Sequence, residues 1–255
     1  MKNLLNYREH GSGRPVIILH GLLGSLENWQ AIAVEIARYY KVFTLDLRNH
    51  GKSFHSGRIN YPIMAEDLLS FIKYQKLQSV SIIGHSMGGK VAMQFAFSYP
   101  VHLKDLIVVD IVNRNYPPHW ENIIEALWQL DISSLSSLND ADEMLRPHIS
   151  DIKLRLFLLK NLERTSKGLY RWRINLEAIR RSYGTLCRKV EEKHYGKSCL
   201  FVRGEDSDYI QDTDWPENLK SFPKAYLITI PDAGHWLHIE AKEIFIRTVC
   251  KYLRS

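Results

Sequence analysis

Short apolar runs alternate with helically spaced apolar residues through the first half of the chain. The runs are about four residues long, and the segments between them place apolar residues three and four positions apart. Strands are therefore predicted at residues 16–19, 42–45, 80–83 and 106–109, and helices at 27–40, 61–74 and 87–99. Almost wholly apolar strands separated by helices are typical of a mostly parallel sheet with helices on both faces.

The pattern changes in the middle of the chain. Strand signals vanish from about residue 116 to 196, where helices are predicted around 119–130, 139–147, 150–163 and 175–190. The sheet pattern returns at 198–202 and 226–230, and a helix at 241–253 follows. We therefore predict a core formed by residues 1–115 and 197–255, with residues 116–196 inserted as a helical cap.

The composition is that of an ordinary globular protein. Its 255 residues are 45% hydrophobic and 24% charged, which excludes a disordered chain, a coiled coil and a collagen-like polymer. No stretch approaches 18 consecutive apolar residues, so no membrane span is expected. Residues 1–10 lack the apolar segment of a secretory signal, and Cys187, Cys199 and Cys250 are too widely spaced for a disulfide framework or a zinc knuckle. These features predict a cytoplasmic protein.

The net charge of +6 is the one compositional hint at an anionic partner. No run of five to eight basic residues and no recognised nucleic-acid-binding motif accompanies it, so a nucleic-acid partner is not expected.

A serine between two glycines carries the strongest chemical signal. Ser86 lies in Gly84-His85-Ser86-Met87-Gly88, with a predicted strand before it and a predicted helix after it. At such a junction G-x-S-x-G forms a sharp, strained turn that exposes the serine hydroxyl above the sheet edge. The helix N-terminus also faces the negative charge that develops in acyl transfer. Ser86 is therefore the predicted nucleophile.

A serine nucleophile needs a base, and His235 has the best position for that role. It follows the last predicted strand, so it should lie at the same sheet edge as Ser86. His238 lies three residues further on, but without a third ligand or an H-E-x-x-H pattern the pair predicts no metal site. The other candidate bases are His20, His50, His55 and His85.

The orienting acid has several candidates. Asp110 directly follows the strand predicted at 106–109, whereas Asp206 and Asp208 follow the strand at 198–202. All three fit the chain order Ser, Asp or Glu, His. A carboxylate at a strand end is held by the sheet, which favours Asp110. The alternative role for Asp110 is to tie down the loop that enters the insertion.

Two backbone N–H groups are needed to stabilise the oxyanion of acyl transfer. The first predicted donor is Met87, the residue after the nucleophile. The second is Leu22, in the loop His20-Gly21-Leu22-Leu23-Gly24 that follows the first predicted strand. On its own, this loop would be an ordinary strand–helix turn.

Four segments together resemble the α/β-hydrolase superfamily over essentially the whole chain: residues 20–21, 46–53, 84–90 and 234–236. Residues 48–51, 87–90 and 171–176 look like the YbfF-type bacterial esterases, a branch that hydrolyses short acyl esters and acyl-CoA thioesters. The resemblance implies a mostly parallel, doubly wound sheet of about eight strands, with the helical cap inserted after the sixth strand.

The resemblance also bears on the acid. The superfamily's usual acid ends a G-x-x-D pattern after the seventh strand, but Gly204-Glu205-Asp206-Ser207 has a serine there. This departure implies that Asp110 takes the role, with Glu177 as a distant alternative.

The expected function is hydrolysis of small carboxylic esters with short to medium acyl groups, and of acyl-CoA thioesters, through an acyl-enzyme on Ser86. No metal and no organic cofactor are expected. Carbon–carbon bond hydrolases and cofactor-free haloperoxidases share the same residues and remain alternatives. A catalytically idle ligand-binding protein is a further one.

The basic excess lies in the predicted cap. Residues 144–193 contain thirteen Lys and Arg against five Asp and Glu. One interpretation is a solvated helical face. The other is that Arg171 and Arg173 meet the phosphates of a CoA leaving group, since guanidinium groups suit phosphate. Leu154, Phe157 and Leu158 would then line an acyl channel. Trp236, next to the predicted base, is a third expected substrate contact.

Overall fold

The computed structural model describes residues 4–191 and 193–254. Residues 1–3, which belong to the N-terminal segment considered above, lie outside the described residues. So do Glu192, one of the five acids counted in the basic segment, and Ser255.

A seven-stranded sheet forms the centre of the molecule. In chain order, the strands of the described residues are β1 (Tyr7–His10), β2 (Pro15–Leu19), β3 (Lys41–Leu45), β4 (Val80–His85), β5 (Leu103–Val109), β6 (Leu162–Arg164), β7 (Tyr170–Trp172), β8 (Cys199–Gly204) and β9 (Ala225–Ile230). The main sheet has the order β1-β3-β2-β4-β5-β8-β9, and β6 pairs with β7 separately. Only β1 runs antiparallel to its neighbour in the main sheet.

Helices cover both faces of this sheet and fill the segment between β5 and β8. They are α1 (Gln30–Ile36), α2 (Tyr61–Tyr74), α3 (Met87–Ser98), α4 (Glu121–Gln129), α5 (Leu138–Leu145), α6 (Ile152–Leu159), α7 (Leu176–Cys187), α8 (Trp215–Ser221), α9 (Leu237–Glu240) and α10 (Lys242–Arg254).

The core lies on both sides of the sheet because successive strand residues point to opposite faces. On β2, Ile17 belongs to the apolar cluster that contains Phe71 of α2, whereas Ile18 belongs to the cluster that contains Phe245 of α10. A third cluster lies among α4 to α7 and is formed by residues such as Leu127 and Leu158. The predicted mostly parallel, doubly wound fold is thus confirmed.

The strand count and the content of the insertion differ from the prediction. The main sheet has seven strands rather than about eight, so the helical segment follows the fifth strand of the chain and not the sixth. β1 has no apolar run because it is an edge strand whose residues are all partly or fully exposed. The hairpin of β6 and β7 lies where only helices were predicted, since three-residue strands are too short to show a period of two.

No helix in the described part of the chain is long and apolar enough to span a membrane.

Candidate active site

The turn between β4 and α3 has the strained geometry predicted for it. Ser86 has φ 51° and ψ −117°, a backbone conformation rarely adopted by residues other than glycine. An added Cβ at Gly84 would overlap the carbonyl oxygen of Gly88, and one at Gly88 would overlap the carbonyl oxygens of Leu19 and His20. Both glycines are therefore required for β4, α3 and the end of β2 to approach so closely.

His235 and Asp110 meet at the same edge of the sheet. His235 lies in the loop after β9, and its Nδ1 is 2.8 Å from Oδ2 of Asp110, which directly follows β5. Because a carboxylate only accepts hydrogen bonds, Nδ1 is the donor and Nε2 remains free to accept a proton. This is the tautomer that a serine nucleophile requires of its base.

The Asp110 carboxylate is fully buried and held by the segment after β8. Its Oδ1 accepts a hydrogen bond of 3.2 Å from the N–H of Gly204, and its Oδ2 accepts one from the hydroxyl of Ser207. The Asp110 N–H donates to the carbonyl oxygen of Val202 at 2.8 Å. By contrast, Asp206, Asp208 and Glu177 are exposed, and Glu177 forms an ion pair with Arg181.

Tyr209 covers one face of the His235 ring. The two rings are stacked, with centroids 3.8 Å apart and an angle of 15° between their planes. The carbonyl oxygen of Tyr209 accepts a hydrogen bond of 2.8 Å from the Tyr116 hydroxyl, so the stacking residue is itself anchored. Neither Ser207 nor Tyr209 was predicted to contact the site residues. For Ser207, the sequence offered one signal: it stands where the G-x-x-D pattern has its aspartate, a position that would lie near the base and its acid.

The loop after β2 lies directly against the serine. A Cβ added at Gly21 would lie 3.3 Å from Cβ of Ser86. Leu22 and Met87 both line the cavity that Ser86 and His235 line. Met87 is the first residue of α3, where backbone N–H groups have no acceptor within the helix. The predicted oxyanion donors thus lie around the same cavity as the predicted nucleophile.

Two of the other candidate bases, His20 and His50, use both ring nitrogens to hold loops in place. Nδ1 of His50 donates to the carbonyl oxygen of Arg48, and Nε2 accepts from the N–H of Leu23. His20 makes the same kind of pair with the carbonyl of Gly21 and the N–H of Leu47. Both imidazoles must be neutral to accept these bonds, and burial lowers the pKa of His50 to about 3.

His85 and His238 are also buried beside the site. Nε2 of His85 bonds the carbonyl oxygen of His235, and the His238 ring stacks on Trp29 with centroids 4.1 Å apart. Burial lowers the pKa of His85 well below its usual value and that of His238 to about 3. His55 bonds the carbonyl oxygen of Arg173. Within the described residues, no group of three or more His, Cys, Asp or Glu side chains could hold a metal ion.

The cavity around Ser86 is largely aromatic. Its wall includes Trp29, Tyr61, Tyr116, Trp120, Phe157, Tyr183, Tyr209 and Trp236. The Lys90 side chain also reaches this wall, but its ammonium donates hydrogen bonds to the carbonyl oxygens of Arg114, Cys187 and Arg188. These three hydrogen bonds join the two chain segments that enter and leave the helical insertion, and burial lowers the pKa of Lys90 to about 7.

The predicted substrate contacts are only partly brought together. Trp236 and Phe157 line the cavity, with ring centroids 6.0 Å apart. Arg171 and Arg173 lie outside the cavity lining: Arg171, with its side chain 68% exposed, pairs with Glu163 across the hairpin, and Arg173 also approaches that carboxylate. Leu158 and Leu154 belong to the packing among α4 to α7.

Known proteins resemble this chain over almost its whole length. The family model described as the alpha/beta hydrolase fold matches residues 14–242. The sn-1-specific diacylglycerol lipase ABHD11 of Danio rerio is 37% identical, over 96% of this chain and 80% of that protein. Esterase YbfF of Escherichia coli strain K12 is 29% identical, over 94% of this chain and 93% of its own. A solved marine microorganism esterase has a TM-score of 0.95 and 43% identity, covering 98% of this chain and 99% of that one.

Proposed function

Because this chain belongs to the α/β hydrolase family, we propose that it is a serine esterase with Ser86 as nucleophile, His235 as base and Asp110 as orienting acid. The observation that carries the proposal is the hydrogen bond between His235 Nδ1 and Asp110 Oδ2, formed at the wall of the cavity that Ser86 lines. The names of the related esterases and lipases support the same reaction class.

The first half of the reaction forms an acyl-enzyme. The Ser86 Oγ attacks the acyl carbonyl carbon while Nε2 of His235 takes the hydroxyl proton, and Asp110 stabilises the resulting imidazolium. The carbonyl oxygen becomes an oxyanion that the N–H groups of Leu22 and Met87 stabilise. Collapse of this intermediate breaks the ester C–O bond, and the leaving alcohol takes the proton from His235.

Water completes the cycle by the same steps. His235 removes a proton from a water molecule that attacks the acyl-enzyme. Collapse of the second intermediate breaks the bond to Ser86 Oγ, which takes the proton back from His235, and the carboxylic acid is released. The products are one alcohol and one carboxylic acid for each ester and water consumed. Apart from the ester and water, the proposed steps use side chains and backbone N–H groups of this chain.

The lining of the cavity favours an uncharged, apolar acyl group, and we keep the short to medium acyl length expected from the sequence as part of the proposal. Aromatic rings supply apolar surface, and the Lys90 ammonium is occupied by three carbonyl oxygens. We propose that residues 116–196 act as a cap that shapes this cavity, because Trp120, Phe157 and Tyr183 of that segment line it. The diacylglycerol lipase among the relatives supports an ester with apolar chains.

Acyl-CoA thioesters are a second candidate substrate class, favoured by the basic excess of residues 144–193. Under this proposal the CoA phosphates would meet exposed guanidinium groups of that segment, such as that of Arg171. The cytoplasmic location expected from the sequence also stays a prediction.

The proposed function is tested by hydrolysis of p-nitrophenyl acetate, butyrate and octanoate. Wild-type protein should hydrolyse at least one of them, and Ser86→Ala should lower kcat by about 10³-fold or more with an unchanged circular dichroism spectrum. Ser70→Ala is the matched control, since its hydroxyl lies on α2 and bonds the carbonyl of Glu66. Full activity in Ser86→Ala would refute the assignment, and binding without turnover would favour a ligand-binding protein.

A further inference from the structure

The residue after the proposed oxyanion donor is held from two sides. The N–H of Leu23 donates to Nε2 of His50 at 3.2 Å, and the carbonyl oxygen of Leu23 accepts from Nδ2 of Asn161 at 2.8 Å. His50 belongs to the loop after β3, whereas Asn161 belongs to the helical insertion. Leu23 also has φ 57°, so its backbone adopts a conformation that needs such support.

Asn161 is itself fixed inside the insertion. It lies between α6 and β6 and is 4% exposed. Its Nδ2 also bonds the carbonyl oxygen of Leu158 in α6, and its own carbonyl oxygen accepts from the N–H of Arg173 after β7. The side-chain amide of Asn161 therefore transmits the position of α6 and of the hairpin to the Leu23 peptide group.

The side chain of Leu23 makes the same connection through apolar packing. Leu23 is 1% exposed and belongs to the apolar cluster of the insertion, together with Leu127, Leu158 and Ile174. A loop residue of the core thus forms part of the packing of the inserted helices. Displacement of those helices would leave Leu23 exposed and its carbonyl group without its amide partner.

We propose that Asn161 is a positioning residue. Through it, the conformation of the loop at residues 20–24, which holds the proposed oxyanion donor Leu22, depends on the position of the helical insertion. The inference rests on the proposed function. Leu22 N–H lies one residue before the Leu23 N–H, so the direction of the proposed donor follows the backbone orientation fixed at Leu23. Stabilisation of the oxyanion is then complete only when α6 is in the position seen here, which couples closure over the acyl group to catalysis.

The test separates positioning from a purely structural role. Asn161→Asp keeps the shape but sets a carboxylate oxygen against the Leu23 carbonyl, and Asn161→Ala removes the donor without repulsion. Asn139→Asp is the matched control, because Asn139 is an exposed amide on α5 of the same insertion. Activity is measured with p-nitrophenyl butyrate and expressed per Ser86 titrated by a fluorophosphonate, so that unfolded molecules do not count.

We expect both Asn161 variants to lower kcat by about ten- to a hundredfold with little change in KM. This is less than the roughly 10²–10³-fold cost of deleting an oxyanion donor, because the donor is displaced and not removed. Affinity for a trifluoromethyl ketone, whose adduct places an oxyanion in the same position, should fall in parallel. The control should match wild type.

Wild-type kcat per titrated site in both variants, or a loss of kcat without loss of ketone affinity, would overturn the inference. A wild-type protein that neither hydrolyses the ester nor reacts with the fluorophosphonate would instead refute the proposed function.

Discussion

Ser207 donates its hydroxyl hydrogen bond to Oδ2 of Asp110, the same carboxylate oxygen that accepts from Nδ1 of His235. Ser207 occupies the position after β8 where the superfamily's usual acid would stand. The structure thus places two strand ends around one imidazole: β5 supplies the carboxylate, and the segment after β8 supplies a donor that orients it.

The first prediction concerns the acid. Asp110→Asn should lower kcat by about 10³–10⁴-fold, because His235 then loses the acceptor that orients its ring. Asp206→Asn and Asp208→Asn should each cost less than about tenfold, since both side chains are exposed. The kcat values are measured by steady-state kinetics on a p-nitrophenyl ester. A large loss of kcat in Asp206→Asn would instead assign the acid to the segment after β8.

A second prediction uses the shared oxygen. Adding Ser207→Asp to Asp110→Asn should restore a measurable part of the lost activity, because position 207 already reaches the carboxylate group that holds His235. Ser207→Ala in the Asp110→Asn background is the control and should restore none. If the aspartate variant were no more active than this control, position 207 would lack access to the His235 ring.

The third prediction concerns acid stability. Burial lowers the pKa of His238 to about 3, whereas an unfolded histidine titrates near about 6.5. Below pH 6.5 the unfolded chain therefore takes up a proton that the folded chain does not, so stability is lost as pH falls, by about 1.4 kcal/mol per pH unit.

His238→Phe keeps an aromatic ring on Trp29 and removes this proton uptake. Between pH 7.5 and 5.5, its free energy of unfolding should fall by about 1.4 kcal/mol less than that of wild type in urea titrations. The difference between the two pH values is the readout, because the larger ring changes the free energy of unfolding by the same amount at both. Equal losses in the two proteins would mean that His238 is protonated in the folded state.

The fourth prediction compares two glycines. Gly88→Ala should destabilise the protein by at least about 1–3 kcal/mol and lower activity, because the new Cβ overlaps the carbonyl oxygens of Leu19 and His20. Gly184→Ala is the same change within α7, where nothing lies within 4 Å of the added carbon, and it should stabilise by about 0.5–1 kcal/mol. Urea midpoints measure both effects, and similar midpoints for the two variants would contradict the close approach of β2 and α3.

The fifth prediction separates ester from thioester hydrolysis. If the basic insertion meets CoA phosphates, KM for an acyl-CoA should rise steeply with ionic strength, whereas KM for an uncharged p-nitrophenyl ester of equal acyl length should hardly change. Arg171→Ala should remove part of that salt dependence. Equal salt dependence for both substrates would leave simple esters as the substrate class.

Local sequence patterns were sufficient to predict those parts of the site that depend on residues adjacent in the chain. The turn at Ser86 and the position of His235 after the last strand follow from short segments with clear strand and helix signals. For the acid, the sequence favoured Asp110 but left Asp206 and Asp208 as alternatives, because all three aspartates follow strands. The hydrogen bond from His235 to Asp110 depends on how β5, β8 and β9 lie side by side, which local patterns do not show.

Features that depend on contacts distant in sequence were not predictable. Arg171 has the chemistry of a phosphate ligand, but the pairing of β6 with β7 places Glu163 beside it. Tyr209 and Asn161 showed no signal, since ring stacking on His235 and the bond to the Leu23 carbonyl both arise from the folded arrangement.

Reaction with a fluorophosphonate followed by mass spectrometry tests whether Ser86 is the nucleophile that forms the acyl-enzyme. We expect a single adduct on wild-type protein, located by peptide mapping on Ser86, and none on Ser86→Ala. An adduct on another residue, or no adduct under conditions that label a known serine esterase completely, would contradict this assignment.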